Sequence, residues 1–180
     1  MTETIASVDD VRRAGNISDR IDVGILQFYL DIASISLSEM VGSTIYEEAI
    51  KDSSTLEAKA LKRLMITEAL MTVGFILPCL AMQPEERGIL SVISHGAGGQ
   101  LEKWSYVKEV NELAATFLNL AYQISSEYIS TEGYEGVWSQ VIMRMFPSLD
   151  EMPTVAPIAS EEEILIKIRR GDEVVLPNQM

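Results

Sequence analysis

The residues whose types could do chemistry are few, and the most site-like of them stand together as His95-Gly96-Ala97-Gly98-Gly99. As a phosphate cradle this stretch lacks the Lys-Ser/Thr pair of a P-loop, and it does not spell G-x-G-x-x-G. As an oxyanion loop it has no G-x-S-x-G nucleophile elbow elsewhere in the chain to serve. Cys79 would be the nucleophile and His95 its base, but Cys79 sits in an apolar run that buries the thiol and raises its pKa. With a single histidine in the chain neither H-x-x-x-H nor E-x-x-H can be written, which removes zincin and di-iron bundle sites. Glu68, among apolar neighbours, is the one carboxylate placed for a raised pKa; the plainer expectation is that it lies on its helix's polar edge and pairs with Arg63 or Lys62. Arg170-Gly171-Asp172 reads as a hairpin turn. The nine methionines, Met65, Met71, Met82, Met143 and Met145 among them, suit adaptable packing better than a cofactor. The sequence therefore predicts no catalytic residue, no metal site and no cofactor, and its chemistry is packing.

Composition points the same way. The chain of 180 residues is 47% hydrophobic and 23% charged, ordinary for a globular protein with a substantial core. Its formal net charge of −13 argues against tight binding to phosphate backbones, which needs clustered Lys and Arg. The acid is concentrated in the first and last thirds, and the middle is nearly balanced. A lone Cys79 excludes an internal disulfide and fits a reducing compartment. Met1 to Asn16 is polar and carries no apolar signal region. Ala69 to Pro84 is uncharged, but it is shorter than the roughly 18–20 residues of a membrane span and contains Pro78, so it reads as a buried core helix.

The element that must organise the rest runs from Ser18 to Lys51. Asp19 or Asp22 caps a helix over 23–40, and Leu26, Leu30, Ala33, Leu37 and Met40 recur at spacings of three and four along one face. Ile25, Phe28, Ile32 and Ile35 make a second apolar face, leaving a narrow polar stripe of Gln27, Asp31, Ser34 and Ser38. A helix apolar on two sides is buried on more than one side, so this is either a central core helix or one that also meets another subunit, with the second face as its candidate subunit interface. Gly42 ends the helix as a left-handed residue, and a short helix with Ile45, Tyr46, Ala49 and Ile50 follows. A long helix over about 56–77 is capped by Ser53, Ser54 or Thr55 and stopped by Pro78 and Pro84. Gln83 to Trp104 reads as a Gly-rich loop carrying a strand or hairpin at Ile89–Ile93. A third helix runs over about 105–130, with Tyr106, Val110, Leu113, Phe117, Leu120 and Ile124 as its packing stripe. A last short helix covers about 137–145.

Four of the six prolines lie in the final 34 residues. Pro147 to Ser160 is expected to be an extended linker, and Ile164–Ile168 with Val174–Leu176 a small hairpin. Two strands alone are marginal in water, so this tail is expected to find a partner on its own body, a neighbouring subunit or another protein by strand addition. The fold class expected is mainly α: a small bundle of two long and two or three short helices, with a Gly-rich loop or hairpin and an extended C-terminal tail. The divisions are an N-terminal mobile arm over 1–17, a helical domain over 18–146 and the tail over 147–180.

Met40-Val41-Gly42-Ser43-Thr44-Ile45-Tyr46 at the end of an amphipathic helix, the long helix after it, the Gly-rich loop opening with Gly88-Ile89, and the second long helix with Glu109 and Glu112 resemble the head–tail connector proteins of tailed bacteriophages, over residues 18–130. The resemblance implies a non-enzymatic virion protein that forms a ring, usually of twelve copies, under the portal protein, joins it to a downstream tail or neck protein, and extends a channel that DNA passes without specific binding. It offers Ile89, Val92, His95 and Gly98 as loop residues for lumen or partner contact, and Ile164, Ile166, Ile168, Val174 and Leu176 as portal- or partner-binding tail residues. A different class, a dimeric cytoplasmic helical binding or regulatory module, shares the same core without a ring.

Overall fold

The computed structural model describes residues 3–51, 54–81 and 100–169. It is mainly α. Among the described residues seven helices follow one another: α1 Val8–Gly15, α2 Val23–Val41, α3 Ser43–Ile50, α4 Ala58–Ala81, α5 Gln100–Ser125, α6 over 131–145 and α7 Glu161–Ile168. Most of α6 is π-helical, over Tyr134–Ile142, and a 3-10 turn, Pro147–Glu151, follows it. Among the described residues there is no strand, only one antiparallel bridge between Leu56 and Arg169. The Gly-rich loop residues Ile89, Val92, His95 and Gly98, and the tail residues Val174 and Leu176, lie outside the described residues.

The central helix is α4, against which α5, α2 and α1 all pack. Its stretch Ala69–Ile76, apolar apart from Thr72 and Gly74, supplies the middle of the core, with Met71, Val73 and Ile76 fully enclosed. By length and composition α4 could cross a membrane, yet here the bundle encloses it. Pro78 lies inside this helix rather than ending it. A helical proline forfeits one backbone hydrogen bond and crowds the previous turn, and burial of Ile76, Leu77 and Leu80 around it offsets that cost.

Three further expectations are corrected. Residues 8–15, expected within a mobile arm, form α1, because Ser7 and Asp10 cap it reciprocally and Val11 is buried against the bundle. Residues 164–168, expected as a strand, belong to α7, which opens with the same device: Ser160 and Glu163 form a capping box. Ile164 and Ile168, four apart, then fall on one face and are buried. The third helix begins and ends about five residues earlier than expected; its end falls where Tyr128 N–H bonds back to Ser125 in a turn and Ser130 caps α6 by accepting from Gly133 N–H.

Two glycines let the helices meet closely. Gly42, between α2 and α3, has φ +101° and ψ 141°. It is thus not left-handed helical, as expected, but in a region essentially reserved for glycine. A Cβ on Gly133 would sit 2.1 Å from the Met40 carbonyl oxygen, so α6 starts directly against the end of α2.

Candidate functional site

α2 divides its apolar residues between two sides. Leu26, Leu30, Ala33, Leu37 and Met40 are buried against the bundle. At 100° per residue, Ile25, Phe28, Ile32 and Ile35 lie on the far side: Phe28 is 60% and Ile35 53% exposed, while Ile25 and Ile32 are half-buried and pack partly against the core. The four candidates stand together as one stripe with steps of three, four and three.

α5 departs from the sequence expectation. Of the packing stripe expected there, Val110 is buried and Phe117 and Ile124 are half-buried against the core, but Leu113 is 47% and Leu120 44% exposed. The buried side is roughly a third of a turn round the helix and consists of Ala114, Ala115, Leu118, Ala121, Tyr122 and Ser125. Closeness of approach decides this. Gly74 on α4 faces Leu118, and a Cβ there would lie 2.6 Å from the leucine's Cγ and 3.2 Å from the Ala114 carbonyl. Small residues let the two longest helices come together, which leaves the larger stripe outside.

Both outer stripes are nearly free of charge on a chain of net charge −13. Residues 113–126 contain no charged side chain, and residues 23–38 contain only Asp31. The polar residues that flank the stripes hydrogen-bond locally, Gln27 donating to Asp31 at 2.9 Å and Thr116 to the Glu112 carbonyl at 2.8 Å.

The remaining polar clusters serve the fold. Glu68 has no exposed surface and does not pair with Arg63 or Lys62 as expected. Its Oε2 accepts from the Ala6 N–H at 2.5 Å and its Oε1 from the Tyr46 hydroxyl, tying the lead-in to α1 and helix α3 to α4. Burial pushes this carboxyl up to about 7, while the bonds from Tyr46 and Ala6 pull it down. Burial and the facing Glu68 hold the Tyr46 hydroxyl far above its usual range. Arg63 instead meets Glu127 at 3.1 Å and lies over the Tyr128 ring. Cys79 is half-buried rather than enclosed; it lies beside the Tyr29 hydroxyl, which a hydrogen bond with the thiol and burial push up to about 12.

An open groove of about 760 Å³ lies where α3, α6 and α7 begin, lined by Gly42, Thr44, Ser130, Glu132, Ser160 and Glu161 among others. Its helix N-termini are already served by protein: Glu161 accepts from the Thr44 N–H at 3.0 Å. Of the tail candidates, Ile164 and Ile168 are spent on the chain's own bundle, while Ile166 is 41% exposed. Among the described residues no group of three His, Cys, Asp or Glu comes together in the manner of metal ligands.

No family model, curated protein or solved structure matches this chain. The part-exposed apolar stripes on α2 and α5 are its candidate site. The α2 stripe is legible from periodicity; of the α5 stripe, Leu113 and Leu120 depart from the packing role that periodicity gives them.

Proposed function

We propose that this protein is a structural subunit that works as a homo-oligomeric ring, the head–tail connector between the portal and the tail of a tailed bacteriophage. The observation that carries the reading is the outer face of α2. A helix that buries one apolar side in its own bundle and presents Phe28 and Ile35 to solvent on the other has a surface that further protein is suited to cover. Self-assembly into a closed ring uses such a surface on every copy. The connector assignment draws in addition on the order of the elements, from the helix ending at Met40–Tyr46 through the two long helices.

In this reading the protein makes and breaks no bond. It provides a rigid bundle, surfaces that meet neighbouring copies, and a net charge of −13 that repels phosphates, so DNA slides along a lumen without adhering. The exposed Ile166 on α7 and the residues beyond it contribute to contact with the portal or the next tail component. Electron microscopy with light scattering, on the protein alone and mixed with its portal, tests the proposal. A ring of about a dozen copies, free or seated on the portal, is the expected result. A compact monomer or dimer that ignores the portal overturns it and favours a dimeric helical binding module.

A further inference from the structure

We propose that residues 3–7 form a hinged lid over Glu68, shut while that carboxyl carries its proton and lifted once it is ionised. The inference is independent of the connector reading, because it needs one copy of the chain and no partner.

The geometry begins with the carboxyl. Among the described residues Glu68 is the sole charged side chain that is fully enclosed, and no basic side chain pairs with it. From the lead-in to α1 it meets the Ala6 N–H at 2.5 Å, with the Ile5 backbone alongside. From α3 it meets the Tyr46 hydroxyl, which also bonds with Ser34 of α2. The charged group acting on it from α2 is Asp31, which has the same sign. Cations on the neighbouring helices are turned elsewhere: Arg12 and Arg13 of α1 to Asp9, Asp19 and Asp10, Arg63 of α4 to Glu127, and Lys108 of α5 to Glu112. A carboxylate enclosed with neutral donors and a second acid is far costlier than the neutral carboxyl.

The lead-in is the layer that can yield. Glu3 and Ser7 are exposed, Thr4 and Ile5 are half-buried, and of these five residues Ala6 alone is buried. Tyr46 and Asp31 stand on helices packed into the bundle, whereas residues 3–7 have no helical bonds to break. Thr4 donates to the Ala6 carbonyl at 2.8 Å inside the segment. Ser7, the cap of α1, marks the hinge, and buried Val11 keeps α1 seated behind it. An N–H bond to the carboxyl strengthens on ionisation, but lifting the lid admits water, which supplies as many donors without the burial cost. With the lid lifted the proton leaves near the ordinary 4.5, and with it shut at about 7. The advantage of the shut state is therefore whole below 4.5, falls as pH rises, and is lost above 7.

Hydrogen exchange on the full-length chain at pH 5 and pH 8, corrected for the chemical exchange rate, reads the lid at the Ala6 amide and the core along α4. In wild type, Ala6 protection is expected to fall by at least roughly tenfold from pH 5 to pH 8 while α4 stays level. Glu68→Gln keeps the shape and an acceptor but cannot ionise, and its Ala6 protection is expected to hold within about twofold. Level protection of Ala6 in wild type overturns the lid. So does a fall that Glu68→Gln shows equally, or one that spreads to α4, which is unfolding of the bundle. If the amide variant does not fold, infrared spectroscopy of wild type decides, since the protonated carboxyl has its own carbonyl band. Loss of that band along the same pH curve as Ala6 protection is the expected result, and two separate curves overturn the proposal.

Discussion

Glu68 releases its proton near 4.5 in an ordinary setting, and burial in the folded chain moves that event to about 7. Between those two values the folded chain holds a proton that the unfolded chain has lost. The protonated carboxyl therefore stabilises the fold fully below about pH 4.5, and the contribution is lost as pH rises through 7, by about 3 kcal/mol in all. Asp10 and Glu163, whose carboxyls hydrogen bonds from the capping serines hold low, slope the opposite way, so a difference between two proteins isolates Glu68. Urea midpoints of wild type and Glu68→Gln at pH 5 and pH 8 should diverge: the amide variant is expected to be more stable by about 1–3 kcal/mol at pH 8 and near parity at pH 5. Parallel pH profiles would show that Glu68 is ionised throughout. Two glycines of α6 make a second comparison. Gly133→Ala drives a methyl into the Met40 backbone and is expected to cost about 1–3 kcal/mol. Gly136→Ala, with nothing within 4 Å of its Cβ, is expected to gain about 0.5–1 kcal/mol from reduced chain entropy. The same denaturant curves check both.

The helices were legible where local chemistry and burial agree. In α2 a cap at Asp22 and five core residues at helical spacing gave both its existence and its buried side. In α7 the β-branched run Ile164–Ile168 suggested a strand, although Ser160 and Glu163 already formed a helix-start signal in the sequence. Capping outweighed propensity there. The buried side of α5 was not legible, because hydrophobicity ranks Leu113 and Leu120 above Ala114 and Ala121, while close packing ranks them by size against a neighbour that the sequence does not name. Gly74 supplies that neighbour. The inward turn of Glu68 was hidden for the same reason: its partners, Ala6 and Tyr46, lie on other elements. The distinction can be measured within one helix. Leu118→Ala, fully buried against Gly74, is expected to cost about 2–5 kcal/mol. Leu120→Ala, two residues on and 44% exposed, is expected to change the fold's stability by no more than about 0.5 kcal/mol. Equal losses at both positions would mean that the outer stripe belongs to the monomer's core.

For the whole molecule the acid is the dominant field. If copies meet through uncharged stripes, charge opposes their meeting and the apolar surfaces favour it. Added salt then screens the repulsion, with a Debye length falling from about 10 Å at 0.1 M toward 3 Å at 1 M. Self-association is accordingly expected to strengthen, several-fold, as sodium chloride rises from 50 to 500 mM. Weakening over that range in a sedimentation series would mean that ion pairs hold the copies together.

Tyr122 of α5 stands at a crossing. Its ring lies 4.6 Å from the ring of Trp138 and 5.8 Å from that of Tyr134, and its hydroxyl donates to the Val155 carbonyl at 2.6 Å. The segment that leads to α7 is thereby held by the phenol that packs against a fully buried indole. That arrangement makes the protein its own optical gauge. In a Trp104→Phe background, Trp138 is the sole remaining indole, and its emission is expected to be blue-shifted while the segment is seated. If a partner lifts residues 152–160 away, water reaches the Tyr122 side of that stack. The emission then moves to the red at the moment of docking, with no dye attached.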